Sequence, residues 1–242
     1  MSVRTRSLNS IEKLYNNCNQ GTLGSQNLFA MKNKLMLLLA IVGAVFLIGC
    51  CKENQESVVY PDFAMLKVGN YWIYQYFDID SLGNATATNT YDSCYVEKDT
   101  TINGKTYFKI YKPRFEGDPT GFDFERDSLH YIVSATEGIL FSSEDFTTTF
   151  ETKCSLNNLD TISTFSGKMM NKGQITSTPA GHFYTSDFQT TFTMYPPYSS
   201  GGKIRKTHSK RSEGFGVVEE TLAFFVDDAI YKERRLIRYK VQ

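Results

Sequence analysis

The sequence predicts an all-β fold, a single antiparallel sandwich or a curved, barrel-like sheet, following an N-terminal signal segment. Short runs of aromatic and β-branched residues, which suit a pleated strand, follow one another along residues 61–242. Gly, Asn, Asp or Pro separates these runs at short, regular intervals. No long stretch after residue 60 has helical periodicity. Antiparallel strands joined by short turns account for all three observations.

Residues 31–49 have the features of a signal peptide. Lys32 and Lys34 precede an uncharged apolar run over residues 35–48. That run falls within the roughly 7–15 residues of a signal-peptide apolar region. It is shorter than the roughly 20 residues that a helix needs to span a bilayer. Residues 1–30 are polar, and with them the segment before the apolar run would be unusually long for a signal peptide. We therefore expect that residues 1–30 are a non-native extension and that translation starts at Met31.

The segment Leu47-Ile48-Gly49-Cys50 resembles the lipobox of bacterial lipoproteins. The resemblance implies that Cys50 is lipidated and becomes the mature N-terminus, which would place the protein at the outer membrane, facing the periplasm or the cell surface. Each buried CH₂ of such an anchor contributes about 0.8 kcal/mol. Residues 50–60 would be a tether, and residues 61–242 a β domain. The run 51–57 also loosely resembles an export signal of Bacteroidota surface lipoproteins, and a solvated linker explains it equally well.

The composition of residues 50–242 argues against nucleic-acid binding. The whole chain has 26 Lys and Arg against 26 Asp and Glu. Residues 1–49 contain five of the former and one of the latter, so 21 face 25 and the net charge is −4. A mildly acidic chain has no electrostatic reason to bind nucleic acid or anionic lipid. Its length suits one domain with a core of its own.

The strands can be taken in order. The first covers residues 71–77, between Gly-Asn pairs that favour turns. Residues 100–102 and 105–110 flank Asn103-Gly104, which tolerates the positive φ of a type I′ turn and predicts a hairpin. Residues 62–67 could form one helical turn. Ten further strands are predicted, at residues 128–134, 138–142, 147–154, 161–166, 172–178, 182–188, 190–195, 203–209, 216–225 and 229–241.

Several segments resemble uncharacterised Bacteroidota lipoproteins. They are residues 66–74 (LKVGNYWIY), 99–107 (DTTINGKTY) and 214–218 (GFGVV). Residues 179–183 (PAGHF) resemble an AGxF element of curved antiparallel sheets in envelope proteins. The resemblance implies a cell-envelope lipoprotein with a β domain, and it carries no catalytic residues.

Two cysteines of the β domain could form a disulfide. An exported compartment would permit a Cys94–Cys154 bond. Closing so long a loop would stabilise the fold by about 3–5 kcal/mol in the chain-entropy model. Two separately buried free thiols are the alternative, and the sequence does not decide between them.

No motif predicts an enzyme, a cofactor or a metal site. His130, which alternates with its neighbours as a strand residue would, His182 and His208 lie outside any HExxH, zinc-type or GxSxG pattern, and there is no Walker A or dinucleotide motif. Residues 78–83 begin like a calcium loop, but Leu82 and Asn89 occupy positions that need stronger oxygen ligands. An acidic β-turn is the expected structure there.

Two charged clusters remain as candidates. Asp123, Glu125 and Asp127 occupy alternate positions in a predicted loop, which places them on one side. They could face solvent, or they could be the carboxylates of a hydrolase. A basic run could bind a phosphate, a sulfated glycan or lipopolysaccharide, or could be a charged edge strand that prevents aggregation. Its members are Lys203, Arg205, Lys206, Lys210 and Arg211.

The sequence favours a binding or structural module. Its expected partners are the membrane, through a lipid on Cys50, and an envelope protein or a glycan. The alternative is an envelope- or glycan-directed hydrolase that uses the loop carboxylates. A pocket with paired carboxylates would favour the hydrolase. A filled barrel or a flat sheet would count against it.

Overall fold

The computed structural model describes residues 58–113, 121–156, 160–195, 204–222 and 231–242, without the side chains of 151–156, 160–162, 194 and 231. The lipobox and Lys203 lie outside these residues. The chain divides into two compact units, residues 22–59 and the remainder. Only Val58 and Val59 of the former are described, so the fold below is that of the second unit, from Tyr60 onward.

The described residues form twelve β-strands and no helix. None of them lies in a helix long and apolar enough to cross a membrane. The strands are β1 (Tyr71–Ile79), β2 (Ala85–Ile102), β3 (Lys105–Tyr111), β4 (Phe122–Ser128), β5 (Tyr131–Ser134), β6 (Ile139–Ser142), β7 (Thr149–Leu156), β8 (Asp160–Thr178), β9 (Gly181–Met194), β10 (Ile204–Ser212), β11 (Gly216–Leu222) and β12 (Tyr231–Lys240).

All twelve strands belong to one antiparallel sheet. Its order is β6-β5-β4-β3-β2-β1-β12-β11-β10-β9-β8-β7, so each strand lies beside its neighbour in sequence except at the β1–β12 and β6–β7 steps. The sheet curls until β6, at one edge, contacts β8 and β9 near the other. There the Ser142 amide lies 3.3 Å from the Met169 sulfur. The predicted all-β, curved and barrel-like sheet is therefore confirmed.

Local sequence explains the best-predicted elements. Asn103 and Gly104 have φ values of 51° and 74°, as the predicted hairpin turn between β2 and β3 requires. In β1, Trp72 and Tyr74 are buried while their neighbours are partly exposed, because successive side chains point to opposite faces. Both predictions are confirmed, and β1 extends two residues beyond the predicted end.

Other predicted boundaries are wrong. The predicted strand 128–134 spans a turn, because Leu129 adopts a φ of 57° and His130 lies in that turn rather than in a strand. Residues 172–178 are the end of the long β8, and 182–195 fall almost entirely within one strand, β9. Residues 62–67 form no helical turn. Asp62 Oδ1 instead accepts the amides of Ala64 and Met65 at 2.9 and 2.7 Å.

The apolar interior consists of two clusters. The larger contains Trp72, Tyr74, Cys94, Val96, Ile110, Phe183, Val218, Leu236 and Met65. The smaller contains Ala64, Ile132, Phe141, Met169 and Phe188. Leu66 packs against both clusters. Close packing explains Gly167, where a Cβ atom would overlap the ring of Phe188.

Candidate functional site

A network of buried charges lies on the concave face of the sheet, near the larger cluster. Arg234 is 1% exposed and donates through Nε to Glu220 at 2.9 Å and through Nη1 to the Pro113 carbonyl at 3.2 Å. Lys112 Nζ lies 3.0 Å from the other Glu220 oxygen. Arg234 Nη1 also lies 3.6 Å from the Cys94 sulfur. The Glu220 carboxylate on β11 thus pairs with two cations, Arg234 on β12 and Lys112 just after β3.

The ionisation of Glu220 follows from these neighbours. Burial alone would raise the pKa of its carboxyl, but Lys112 and Arg234 outweigh burial and lower this pKa to about 2. The Glu220 and Arg234 positions are cross-strand partners of β11 and β12. Because Lys112 and Arg234 share the Glu220 carboxylate in the interior, the network fits a structural role.

A second buried ion pair joins β4 to β10. Arg211 Nη2 lies 3.2 Å from Glu125 Oε2, with both side chains at most 5% exposed. The prediction that Asp123, Glu125 and Asp127 face solvent is wrong for Glu125. This side chain is buried, and Arg211 compensates its charge. Asp127 remains exposed at the residue level, yet partial burial of its carboxyl and the nearby Asp62 raise its pKa to about 6. Asp123 lies 4.0 Å from Lys112.

The structure disperses the predicted basic run. Arg211 is buried, whereas Lys210 forms an ion pair with Glu219 on β11. Arg205 is half-buried and Lys206 is exposed. Anion binding by this run stays a prediction, and the described residues do not gather on one surface.

The histidines and cysteines are likewise separate. His208 Nδ1 lies 2.6 Å from Asp187 Oδ2, and His130 Nδ1 lies 3.0 Å from the Ser142 hydroxyl. Cys94 is a buried free thiol. The free thiol favours the alternative of separate cysteines over the predicted Cys94–Cys154 disulfide, and the side chain of Cys154 lies outside the described residues. Among the described residues, no three His, Cys, Asp or Glu side chains form a group that could hold a metal ion.

A cleft lies at the tip of the β8–β9 hairpin, and we call it the hairpin cleft. Its volume is about 550 Å³. The hairpin bends where its register shifts between Met170 and Gln174, and the Ala180 amide at its tip donates to the Leu236 carbonyl at 3.0 Å. The tip is thereby fixed against β12, and the cleft lies along the hairpin.

Aromatic rings form the cleft wall. The ring centroid of Phe215 lies 5.1 Å from that of Phe183 and 5.3 Å from that of Tyr239. The Phe183 and Tyr239 centroids are 6.3 Å apart. Phe63 and Tyr184 complete the aromatic lining, and the side chain of Tyr184 is 72% exposed. A largely aromatic wall of this volume has the character of small-ligand sites.

Polar groups converge on the same cleft. Ser186 and Ser212, which are 3% and 4% exposed, line it. Exposed His182 and Glu213 lie at the rim, where the Ser177 hydroxyl lies 2.8 Å from His182 Nδ1. Lys172, also at the rim, lies 3.7 Å from Glu144. The described rim therefore carries both signs of charge, and its two serines can hydrogen-bond a ligand.

The sequence alone did not predict the hairpin cleft, although two segments that resemble envelope proteins meet there. Residues 179–183 supply the hairpin tip, and residues 214–218 include Phe215. Gly216 follows Phe215 at a φ of 80° and lies against Trp72, where a Cβ atom would be 3.2 Å from the indole ring. Their shared richness in Gly and Phe is the signal that could have paired them.

Comparisons with known proteins add little. No protein-family model matches the chain. The curated proteins give no match either. Two solved structures are similar in shape. One, from Parabacteroides distasonis ATCC 8503, is provisionally described as a lipoprotein; it is 13% identical, with a TM-score of 0.44, over 76% of this chain and 100% of that chain.

The other, from Bacteroides fragilis NCTC 9343, is provisionally described as an exported protein with a YmcC-like fold. It is 11% identical, with a TM-score of 0.45, over 74% of this chain and 99% of that chain. Likeness at this level carries no functional argument, so the function must be argued from the chain itself.

Proposed function

We propose that this protein is a lipid-anchored protein of the cell envelope whose β domain binds a glycan in the hairpin cleft. The observation that carries the binding role is a cleft of about 550 Å³ that combines an aromatic wall with buried serine hydroxyls. The lipobox-like Leu47–Cys50 segment supports the anchor and the outer membrane as its location.

The chemistry of the cleft favours a sugar ring over other ligands. A pyranose presents apolar C–H faces, which pack on aromatic rings, and hydroxyl groups around its edge. Ser186 and Ser212 can exchange hydrogen bonds with such hydroxyls, and Glu213 can accept them. Lys172 near Glu144 and the acidic Glu213 leave no strong excess of one charge, which disfavours a highly charged ligand.

Trp72 provides a direct test of binding. It is the single tryptophan of the chain, and its indole N–H donates to the Phe215 carbonyl at 2.6 Å. A ligand that moves Phe215 should therefore change the tryptophan fluorescence. We expect saturable changes with neutral oligosaccharides and none with matched polyols. Flat titrations across neutral, acidic and sulfated glycans would contradict the proposal.

The anchor needs its own test. Metabolic labelling with a clickable palmitate analogue should label the chain and leave the Cys50→Ser variant unlabelled. Mass spectrometry of the N-terminal peptide should find acyl groups on Cys50. An unmodified Cys50 would remove the anchor from the proposal while leaving the hairpin cleft untouched.

A hydrolase that uses Glu125 and Asp127 is the second candidate. Its support is the carboxyl of Asp127, whose pKa is raised to about 6 and which could therefore exchange protons near neutral pH. Release of reducing sugar from envelope polysaccharide, abolished by Asp127→Asn, would favour it. Turnover that survives this change would reject Asp127 as its acid or base.

A further inference from the structure

A small cavity lies where the two apolar clusters meet. Its volume is about 30 Å³, and its lining includes Ala64 of the smaller cluster and Trp72 of the larger one. A cavity of this volume has room for a water molecule or a small ion.

The charged lining of the cavity is unbalanced. Lys112, Arg211 and Arg234 line it, and Glu125 is the one carboxylate among the described lining residues. Glu220, bound to Lys112 and Arg234, supplies a second negative charge behind them. Three cations therefore face two buried carboxylates.

Two further carboxylates lie farther out. Asp123 is at the 4.0 Å limit of an ion pair with Lys112, and its side chain is 35% exposed. Asp127 interacts with Arg211 but is exposed. Water compensates much of the charge of both groups, so they balance the interior only weakly. Lys112 is itself 20% exposed, so part of one positive charge remains without a buried partner.

Arg211 carries the most direct indication of a ligand. The residue is 4% exposed, and its buried Nε–H has no hydrogen-bond partner among the described residues. The same guanidinium reaches Glu125 through Nη2 and the Phe63 carbonyl through Nη1 at 3.5 Å. A buried donor without an acceptor is costly, so a bound acceptor is expected beside it.

We propose that this cavity binds one small monovalent anion of the halide type, with chloride as the occupant in ordinary buffers. The anion accepts the Nε–H of Arg211 and offsets the excess charge of Lys112, Arg211 and Arg234. It holds β3, β10 and β12 together at the centre of the sheet. The site is independent of the hairpin cleft.

Bromide makes the site visible. Crystals of the full chain grown in detergent and soaked in sodium bromide should give an anomalous difference peak in the cavity beside Arg211. In solution, replacing sodium gluconate by sodium chloride at equal ionic strength should raise the Tm by about 2–4 °C, because a ligand of the native state stabilises it.

Variants separate this site from general salt effects. Arg211→Lys keeps the charge but removes the Nε–H, and it should abolish both the bromide peak and the chloride-dependent rise in Tm. Lys206→Met, at an exposed position of the same strand, should retain both. Glu125→Gln should enlarge the rise, because it increases the excess positive charge.

Two results would overturn the proposal. One is a wild-type crystal with no anomalous peak and a water in the cavity, and the other is a Tm that is equal in chloride and gluconate. The wild-type measurements decide the matter even where a variant fails to fold.

Discussion

Two concave regions of the described residues differ in charge and in volume. The interior cavity holds about 30 Å³ and is surrounded by buried ion pairs. The hairpin cleft holds about 550 Å³ and is lined mostly by aromatic rings and hydroxyls, with its charges at the rim. Buried charges here hold strands together, whereas the region with room for a ligand carries few of them. Changes in the first region should therefore alter stability, and changes at the rim of the second should alter binding.

The largest effect is expected from Arg234→Met. Removing this guanidinium leaves Glu220 Oε2 and the Pro113 carbonyl without their donor in the interior, which should cost about 3–5 kcal/mol in the free energy of unfolding. Urea denaturation measures the loss. Lys105→Met, at an exposed ion pair, is the matched control and should change stability little. Equal losses for both variants would refute the structural role of the interior network.

A carboxylate on β11 provides the next test. Burial and a hydrogen bond with Glu233 raise the pKa of Glu219 to about 7, despite Lys210. A pKa raised in the folded state means that Glu219 favours folding below pH of about 4.5, and that this contribution is lost as the pH rises toward 7.

The Glu219→Gln variant should reduce the loss of stability between pH 4.5 and 7 by about 1–3 kcal/mol. Asp127, whose raised pKa of about 6 acts in the same sense, should leave a remainder. Unfolding free energies at several pH values in this range measure the loss. A wild-type protein whose stability does not fall over this range would contradict the assigned pKa. Glu220 acts in the opposite sense and only below its usual pKa, so it does not obscure the result.

Changes to residues at the rim of the hairpin cleft should weaken ligand binding and leave stability almost unchanged. His182→Ala and Glu213→Ala each remove one exposed polar group, so stability should change little. Loss of one hydrogen bond to a bound glycan should weaken affinity about tenfold, or about 1.4 kcal/mol. Trp72 fluorescence titrations measure the affinity, and Lys206→Ala serves as the control. Unchanged affinity in both rim variants would place the ligand elsewhere.

The smallest effect is expected at Glu137, on the turn after β5. It contacts Lys105 at 2.9 Å, Tyr107 at 3.0 Å and Arg126 at 3.1 Å, and chiefly the Lys105 contact lowers its pKa to about 2. Because the group is exposed, water and salt screen these contacts. Glu137→Gln should leave the Tm unchanged within error at 1 M salt, by calorimetry. A large loss there would show that surface pairs contribute as the interior ones do.

Sequence patterns predicted the fold more fully than the site. Alternation and the Asn103-Gly104 turn depend on neighbouring residues, so they can be recognised locally. The turn at Leu129 was missed because a bulky residue seldom adopts positive φ. Long β8 appeared as two strands because its bulge interrupts the alternation.

The site depends on contacts between distant segments. Arg234 meets Lys112 through Glu220, and Arg211 meets Glu125, although neither pairing has a local signature. The basic run looked like one surface, but alternation along β10 places Arg205 and Arg211 on one face and Lys206 and Lys210 on the other. Residue types alone therefore could not separate structural charges from binding groups.

The central claim is that the hairpin cleft binds a glycan. Chemical-shift mapping of the ¹⁵N-labelled full chain, with a saturating oligosaccharide from the fluorescence screen, tests it most directly. We predict that the largest amide shifts fall within residues 181–186 and 212–215. Shifts confined to Arg205 and Lys206, or to the strands around the interior cavity, would contradict the claim.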